Sequence, residues 1–145
     1  MNPSIGKYFS SIYRTQCVYI NHLCKDLGFG SSQYIYLLKI HEFPGITQKE
    51  LSELVLINKA NTNRALKKLI ELGLVTMKSD DQDLRVKRNY LTDQGVAIVK
   101  ELRKRLNTMS KLFQQGTTEE EMQIFLKVIQ QMESNIISAV KEENG

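Results

Sequence analysis

The chain is poor in the residues on which stapled or metal-bound proteins depend. Its 145 residues include two cysteines and two histidines. Cys17 and Cys24, placed on one helix, would share a side but stand two turns apart, about 10 Å along the axis. That exceeds the reach of an intrachain disulfide, so two partly buried thiols are expected. His22 and His41 are isolated, and no His/Cys cluster has metal-site spacing. A Ser/Cys–His–Asp set and a phosphate-cradling glycine loop are also missing, so enzymatic function is not expected, nor is a metal or a cofactor. Apolar runs are short, none approaching the roughly 20 residues that span a bilayer, so no membrane partner is expected. Met1 to Lys7 offers no basic stretch followed by an apolar core, which makes the cytoplasm the default location. Repeats and low-complexity linkers are lacking too, and one domain over 1–145 is the expectation.

What is present suits an ordinary globular chain. A protein of this length buries roughly 70% of its unfolded surface, enough for one core. Net charge is +4, and its distribution is informative. Residues 1–45 carry four Lys/Arg against two acids, 46–92 nine against six, and 93–145 seven against eight. The middle is therefore the basic part, a weak footprint of an acidic partner.

Apolar residues from Ile5 to Leu27 recur at helical spacing, which predicts one long helix closed by Gly28-Phe29-Gly30. Ser31 or Ser32 is expected to cap the next helix, with Tyr34, Ile35, Leu37, Leu38 and Ile40, ended by Pro44-Gly45. Thr47 and Glu50 form a capping box, each side chain expected to satisfy the other's backbone N–H, ahead of a short helix with Leu51, Leu54 and Val55. Asn58 is a second N-cap. The helix it opens, about 59–72, is amphipathic, with Thr62, Leu66, Leu69 and Ile70 on one face. The opposite face carries Ala60, Asn61, Arg64, Lys67 and Lys68, with Lys59 and Asn63 at its edge. After Gly73, residues 74–78 and 86–91 predict a β-hairpin around the turn at 79–85. A long helix from Thr92 or Asp93 to about Gln115, a break at Gly116, and a last helix from Glu119 to about Lys141 complete the chain.

Two short capped helices followed by a hairpin predict a winged helix-turn-helix. The fold class is mainly α with a small β-hairpin (α+β), the module at 31–95 being flanked by long dimerisation helices in 1–30 and 96–145. The second helix of such a module enters a major groove, and the hairpin reaches the adjacent minor groove. Arg64 can grip guanine bidentately and Asn61 can pair with adenine, while Lys67 and Lys68 would meet phosphates. A merely solvated helix face is the bland alternative. The terminal helices carry Ile5, Phe9, Ile12, Phe125, Val128, Ile129, Met132, Ile136 and Ile137, a patch that pairing across a two-fold axis would cover.

Gly45-Ile46-Thr47-Gln48-Lys49-Glu50-Leu51, Asn58 to Leu69 with its Arg64, Gly73-Leu74-Val75, Asp83-x-Arg85 and Leu91-Thr92-x-x-Gly95 together resemble the multiple antibiotic resistance regulator (MarR) family. Asn63 stands where the family often has Thr, Leu84 where a second Arg is frequent, and Lys78 where Arg is common. The resemblance implies a homodimer on palindromic double-stranded DNA, with Asp83 orienting the wing-tip Arg85 toward the minor groove. Candidate DNA contacts are then Thr47, Gln48, Lys59, Ala60, Asn61, Asn63, Arg64, Lys67, Lys68, Asp83, Arg85 and Lys87. It also implies a small aromatic or anionic effector, for which Tyr13, Arg14, His22, Tyr34 and Tyr36 are candidate contacts. Cys17 lies further along the first helix than the family's redox cysteine, so a peroxide sensor is not supported. The expected function is a ligand-responsive repressor; the alternative is a protein–protein adaptor built on the same module.

Overall fold

The computed structural model describes residues 4–144. The chain divides into two compact units, one up to Leu106 and the other from Asn107 onward. The first contains α1 (Ile5–Leu23), α2 (Tyr34–Glu42), α3 (Gln48–Val55), α4 (Lys59–Glu71), β1 (Val75–Ser79), β2 (Lys87–Leu91) and most of α5 (Asp93–Gln114). The second holds the rest of α5 and α6 (Glu119–Asn144). The expected fold class holds: helices with one small antiparallel hairpin. No helix among the described residues is long and apolar enough to cross a membrane.

The first helix ends sooner than its periodicity suggests. Cys24 leaves the helical conformation, and Lys25–Leu27 tighten into a 3₁₀ turn closed by Gly28 in the left-handed region. Arg105 explains the stop. Its guanidinium donates to the Leu23 carbonyl at 2.7 Å and to Asp26 at 2.7 and 3.1 Å, satisfying the helix end from α5. Neither Ser31 nor Ser32 caps α2. Its N-cap residue, Gln33, makes no side-chain cap bond either. The turn ahead of it is held instead, Gln33 Oε1 accepting the Gly30 N–H at 2.9 Å and Asn21 Oδ1 the Ser31 N–H at 2.8 Å.

Within the helix-turn-helix the capping signals act as expected, with one change. Thr47 Oγ1 accepts the Glu50 N–H at 3.1 Å, and Asn58 Oδ1 accepts the Asn61 N–H at 2.8 Å. The Glu50 carboxylate, however, takes the Thr47 hydroxyl at 2.9 Å rather than closing the box on its backbone. On α4, Thr62, Ala65, Leu66 and Leu69 are buried, while Ile70 is exposed. The buried stripe thus runs through Ala65, on a helix packed against α3 and β1.

The hairpin pairs Val75 with Leu91 through Ser79 with Lys87. Thr47 bridges to Arg88 as a short third edge. Ile20, Leu37, Ile40, Leu51, Leu66, Leu69, Leu74, Val99 and Leu102 make the core of this unit. Thr92 joins the hairpin to α5: its hydroxyl donates to the Gly73 carbonyl at 2.6 Å and accepts the Gly95 N–H at 3.0 Å. Gly95 passes so close to β1 that an added Cβ would lie 2.1 Å from the Leu74 carbonyl oxygen.

In the second unit, Gly116 (φ 81°) ends α5. Thr118 and Glu121 form a reciprocal capping box at α6, with Thr118 N–H donating to Glu121 at 2.8 Å and Glu121 N–H to Thr118 at 3.1 Å. The three glutamates of its first turn also suit the positive end of the helix. No described residue of α6 is buried, and Ile124, Phe125, Leu126, Val128, Ile136 and Val140 lie exposed.

Candidate nucleic-acid interface

The outward face of α4 is open. Lys59, Ala60, Asn61, Asn63, Arg64, Lys67 and Lys68 are all exposed. Two local bonds organise it: Arg64 donates to Asn61 Oδ1 one turn back, and Gln48 on α3 donates to Asn63 Oδ1 at 2.8 Å. Thr47 is committed to capping α3, so its hydroxyl is already engaged with Glu50. The helix is held from behind by a buried pair, Tyr36 on α2 and Thr62 on α4, whose hydroxyls meet at 3.0 Å.

The wing is more tightly built than its sequence suggests. Asp83 accepts from the Arg85 backbone at 3.0 Å and from its guanidinium at 3.1 and 3.3 Å. The Arg85 side chain is nevertheless 91% exposed, projecting from the hairpin tip. Arg85, through its side-chain and then its backbone hydrogen bond, holds the Asp83 carboxyl below the ordinary carboxylate range. Lys87 reaches across the hairpin and donates to Ser79 Oγ at 2.7 Å. Lys78 lies over the Tyr90 ring, 5.6 Å from its centroid.

Two wing residues escaped the sequence reading. Asp80 accepts the Gln82 and Asp83 N–H groups at 3.1 Å each, and Arg88 Nε at 2.7 Å. Arg88 also donates to the Gly45 carbonyl at 3.0 Å, across 43 positions of sequence. Asp80 carried a usable signal, an acid two and three residues ahead of a turn. Arg88 carried none, since its partners appear only once the hairpin lies beside the α2–α3 turn. Asn89 is a third such residue, fully buried, with Nδ2 donating to the Ile46 carbonyl at 3.1 Å.

The candidate effector contacts are dispersed in character. Tyr13 is 65% exposed, and Arg14 and His22 are exposed on α1. Tyr34 is half-buried, and burial above all pushes its phenol up from the ordinary value. Tyr36 is a core residue, 1% exposed, its hydroxyl committed to Thr62. An open cleft of about 340 Å³ is lined by Phe43, Pro44, Gly45, Ile46, Glu50, Leu54 and Arg88, none of them an expected effector contact. Both cysteines are free thiols, Cys24 being buried and its thiol pushed up mainly by that burial. No group of three or more potential metal ligands occurs among the described residues.

Comparison with known proteins identifies the family of this fold. Residues 27–85 match the MarR family. An uncharacterized HTH-type transcriptional regulator of Bacillus subtilis (strain 168), YybA, is 30% identical over 112 residues, covering 77% of this chain and 75% of that protein. A MarR protein from Peptoclostridium difficile superimposes with a TM-score of 0.90 at 27% identity, over 96% of this chain and 91% of that one. A putative MarR family transcriptional regulator from Listeria monocytogenes, solved in complex with 26mer DNA, shares the fold with a TM-score of 0.88 at 24% identity, over 95% and 92% of the two chains. With a module of this shape and a relative at this level of identity, the chain belongs to the MarR family of transcriptional regulators.

Proposed function

We propose that the protein is a sequence-specific, double-stranded DNA-binding repressor that reads a palindrome as a homodimer. The observation that carries this is the exposed Asn61–Arg64 face of α4, set on a buried Tyr36–Thr62 anchor beside a wing whose Arg85 projects almost fully into solvent. Arg64 and Asn61 have the donors and acceptors to read base edges in a major groove, and Lys59, Lys67 and Lys68 supply phosphate contacts. Arg85, steered by Asp83, suits a narrow minor groove, whose negative potential attracts a guanidinium. Thr47, Gln48, Asn63 and Lys87 complete the surface. The fold is one that has been solved on DNA in the Listeria protein.

Dimerisation follows from apolar surface without cover: Ile5, Phe9 and Ile12 on α1, and Phe125, Val128 and Ile136 on α6. A two-fold pair would also match two recognition helices to two half-sites. A small aromatic or anionic effector regulates the protein in this proposal, and it acts only so far as it prefers the DNA-incompetent state. Selection from a random DNA pool tests the whole: a palindrome whose binding weakens steeply with salt is expected. Salt-insensitive binding to a protein partner, with no DNA selected, would replace the repressor with an adaptor.

A further inference from the structure

The wing tip is tied to the helix-turn-helix by a continuous set of hydrogen bonds. It starts at the Gly45 carbonyl, in the turn before α3, which accepts from Arg88 at 3.0 Å. Arg88 passes on to Asp80 Oδ1 at 2.7 Å, and the other Asp80 oxygen holds the Gln82 and Asp83 N–H groups. Asp83 then grips Arg85. Arg88 and Asp80 are partly sheltered, with side chains 39% and 23% exposed, whereas the Arg85 side chain is 91% exposed. We propose that Arg88 and Asp80 are positioning residues that fix where Arg85 stands relative to the recognition helix, so that the wing's contact depends on a bracket behind the tip.

The physical reason is preorganisation. In the loop that joins β1 to β2, residues 80–86, the backbone makes only two bonds of its own, Asp80 N–H to Val86 O at 2.9 Å and Val86 N–H to Asp83 O at 3.0 Å, among the described residues. A tip held so lightly would lose freedom on binding, and that loss subtracts from affinity. Isolated surface pairs contribute little, but here one carboxylate accepts a charged donor and two backbone donors together. The bracket also has an unusual sign. An acid beside a DNA-facing loop repels phosphate, so on charge alone its removal should tighten binding. If Asp80 positions Arg85, its removal weakens binding instead.

This inference rests on the DNA-binding proposal, and two measurements separate them. On the free protein, amide exchange at Gln82 and Asp83 should quicken by about tenfold in Arg88→Ala and Asp80→Ala, with Arg88→Lys lying between them and wild type. On the selected DNA, Asp80→Ala should weaken binding by about tenfold, and Arg88→Ala should add nothing once Arg85→Ala is present. Tighter or unchanged binding in Asp80→Ala, or fully additive losses for Arg88 and Arg85, would overturn the bracket. Quickened amides in a protein that selects no DNA would sink the DNA-binding proposal and leave the bracket standing. Unchanged amides in a protein that does select DNA would sink the bracket alone.

Discussion

Tyr36 and Thr62 hydrogen-bond to each other inside the core, hydroxyl to hydroxyl at 3.0 Å, and through them α2 holds the back of α4. Both are fully buried, so deleting either group strands the other without water. Tyr36→Phe and Thr62→Val should each destabilise by about 1–3 kcal/mol. The double variant should lie nearer wild type than the sum of the two. Urea titration decides this, and simple additivity would show that the bond contributes nothing specific.

Gly95 is required by a close approach. A Cβ there meets the Leu74 carbonyl, which is backbone and cannot swing aside. Gly95→Ala should therefore cost about 1–3 kcal/mol by overpacking. Gly6→Ala makes the contrast: it also lies in a helix but has nothing within 4 Å, so it should stabilise by up to about 1 kcal/mol. Equal thermal midpoints for the two variants would contradict the packing described.

Arg64 and Arg85 should fail differently. Arg64→Ala is expected to relax base preference at one position per half-site, a loss of roughly 1–3 kcal/mol of discrimination. Arg85→Ala should weaken binding to most sites, lower the salt slope by about one per protomer, and alter mainly A·T-versus-G·C preference in the flanks. Asp83→Ala should reproduce part of that effect. Affinities across an operator-variant library at two salt concentrations distinguish the outcomes. Unchanged affinity in Arg85→Ala would return the wing to a solvated hairpin.

Replacing Ile129 and Ile136 with Lys should abolish dimerisation and tight DNA binding together. Ile136 is 64% exposed on a helix with no buried residue, so the change need not disturb the chain's own core. Sedimentation of wild type as a monomer at micromolar concentration would count against the proposed dimer.

Acid should loosen the protein through a short set of carboxylates. Arg105 depresses Asp26, Arg88 depresses Asp80, Arg85 depresses Asp83, and the Thr118 N–H depresses Glu121. Each folded-state value lies below its unfolded one, so the unfolded chain binds more protons in between. Their stabilisation is present above the ordinary carboxylate value of about 4 and is lost as pH falls through the lower folded values. Urea midpoints at about pH 6 and about pH 3 should fall with pH, and less so in Asp26→Asn. An identical fall in that variant would remove the Arg105–Asp26 pair from the account.

Local chemistry decided much of this protein before any long-range contact formed. Asn58 and Thr47 cap their helices because a short polar side chain reaches a free N–H three residues on, and Gly73 and Gly116 end helices because a left-handed residue costs them little. The open α4 face was legible for the same reason: helical periodicity alone puts Asn61 and Arg64 opposite Leu66 and Leu69. Where the first helix stops was not legible, because the group that satisfies its end, Arg105, comes from α5. Ile70, expected on the apolar face, is exposed and Ala65 is buried, because which edge of an apolar stripe is covered depends on the elements laid against it. The burial of Tyr36 and the bond from Arg88 to the Gly45 carbonyl belong wholly to tertiary structure. Their partners are 26 and 43 positions away, and only the packed fold brings donor to acceptor at hydrogen-bonding distance.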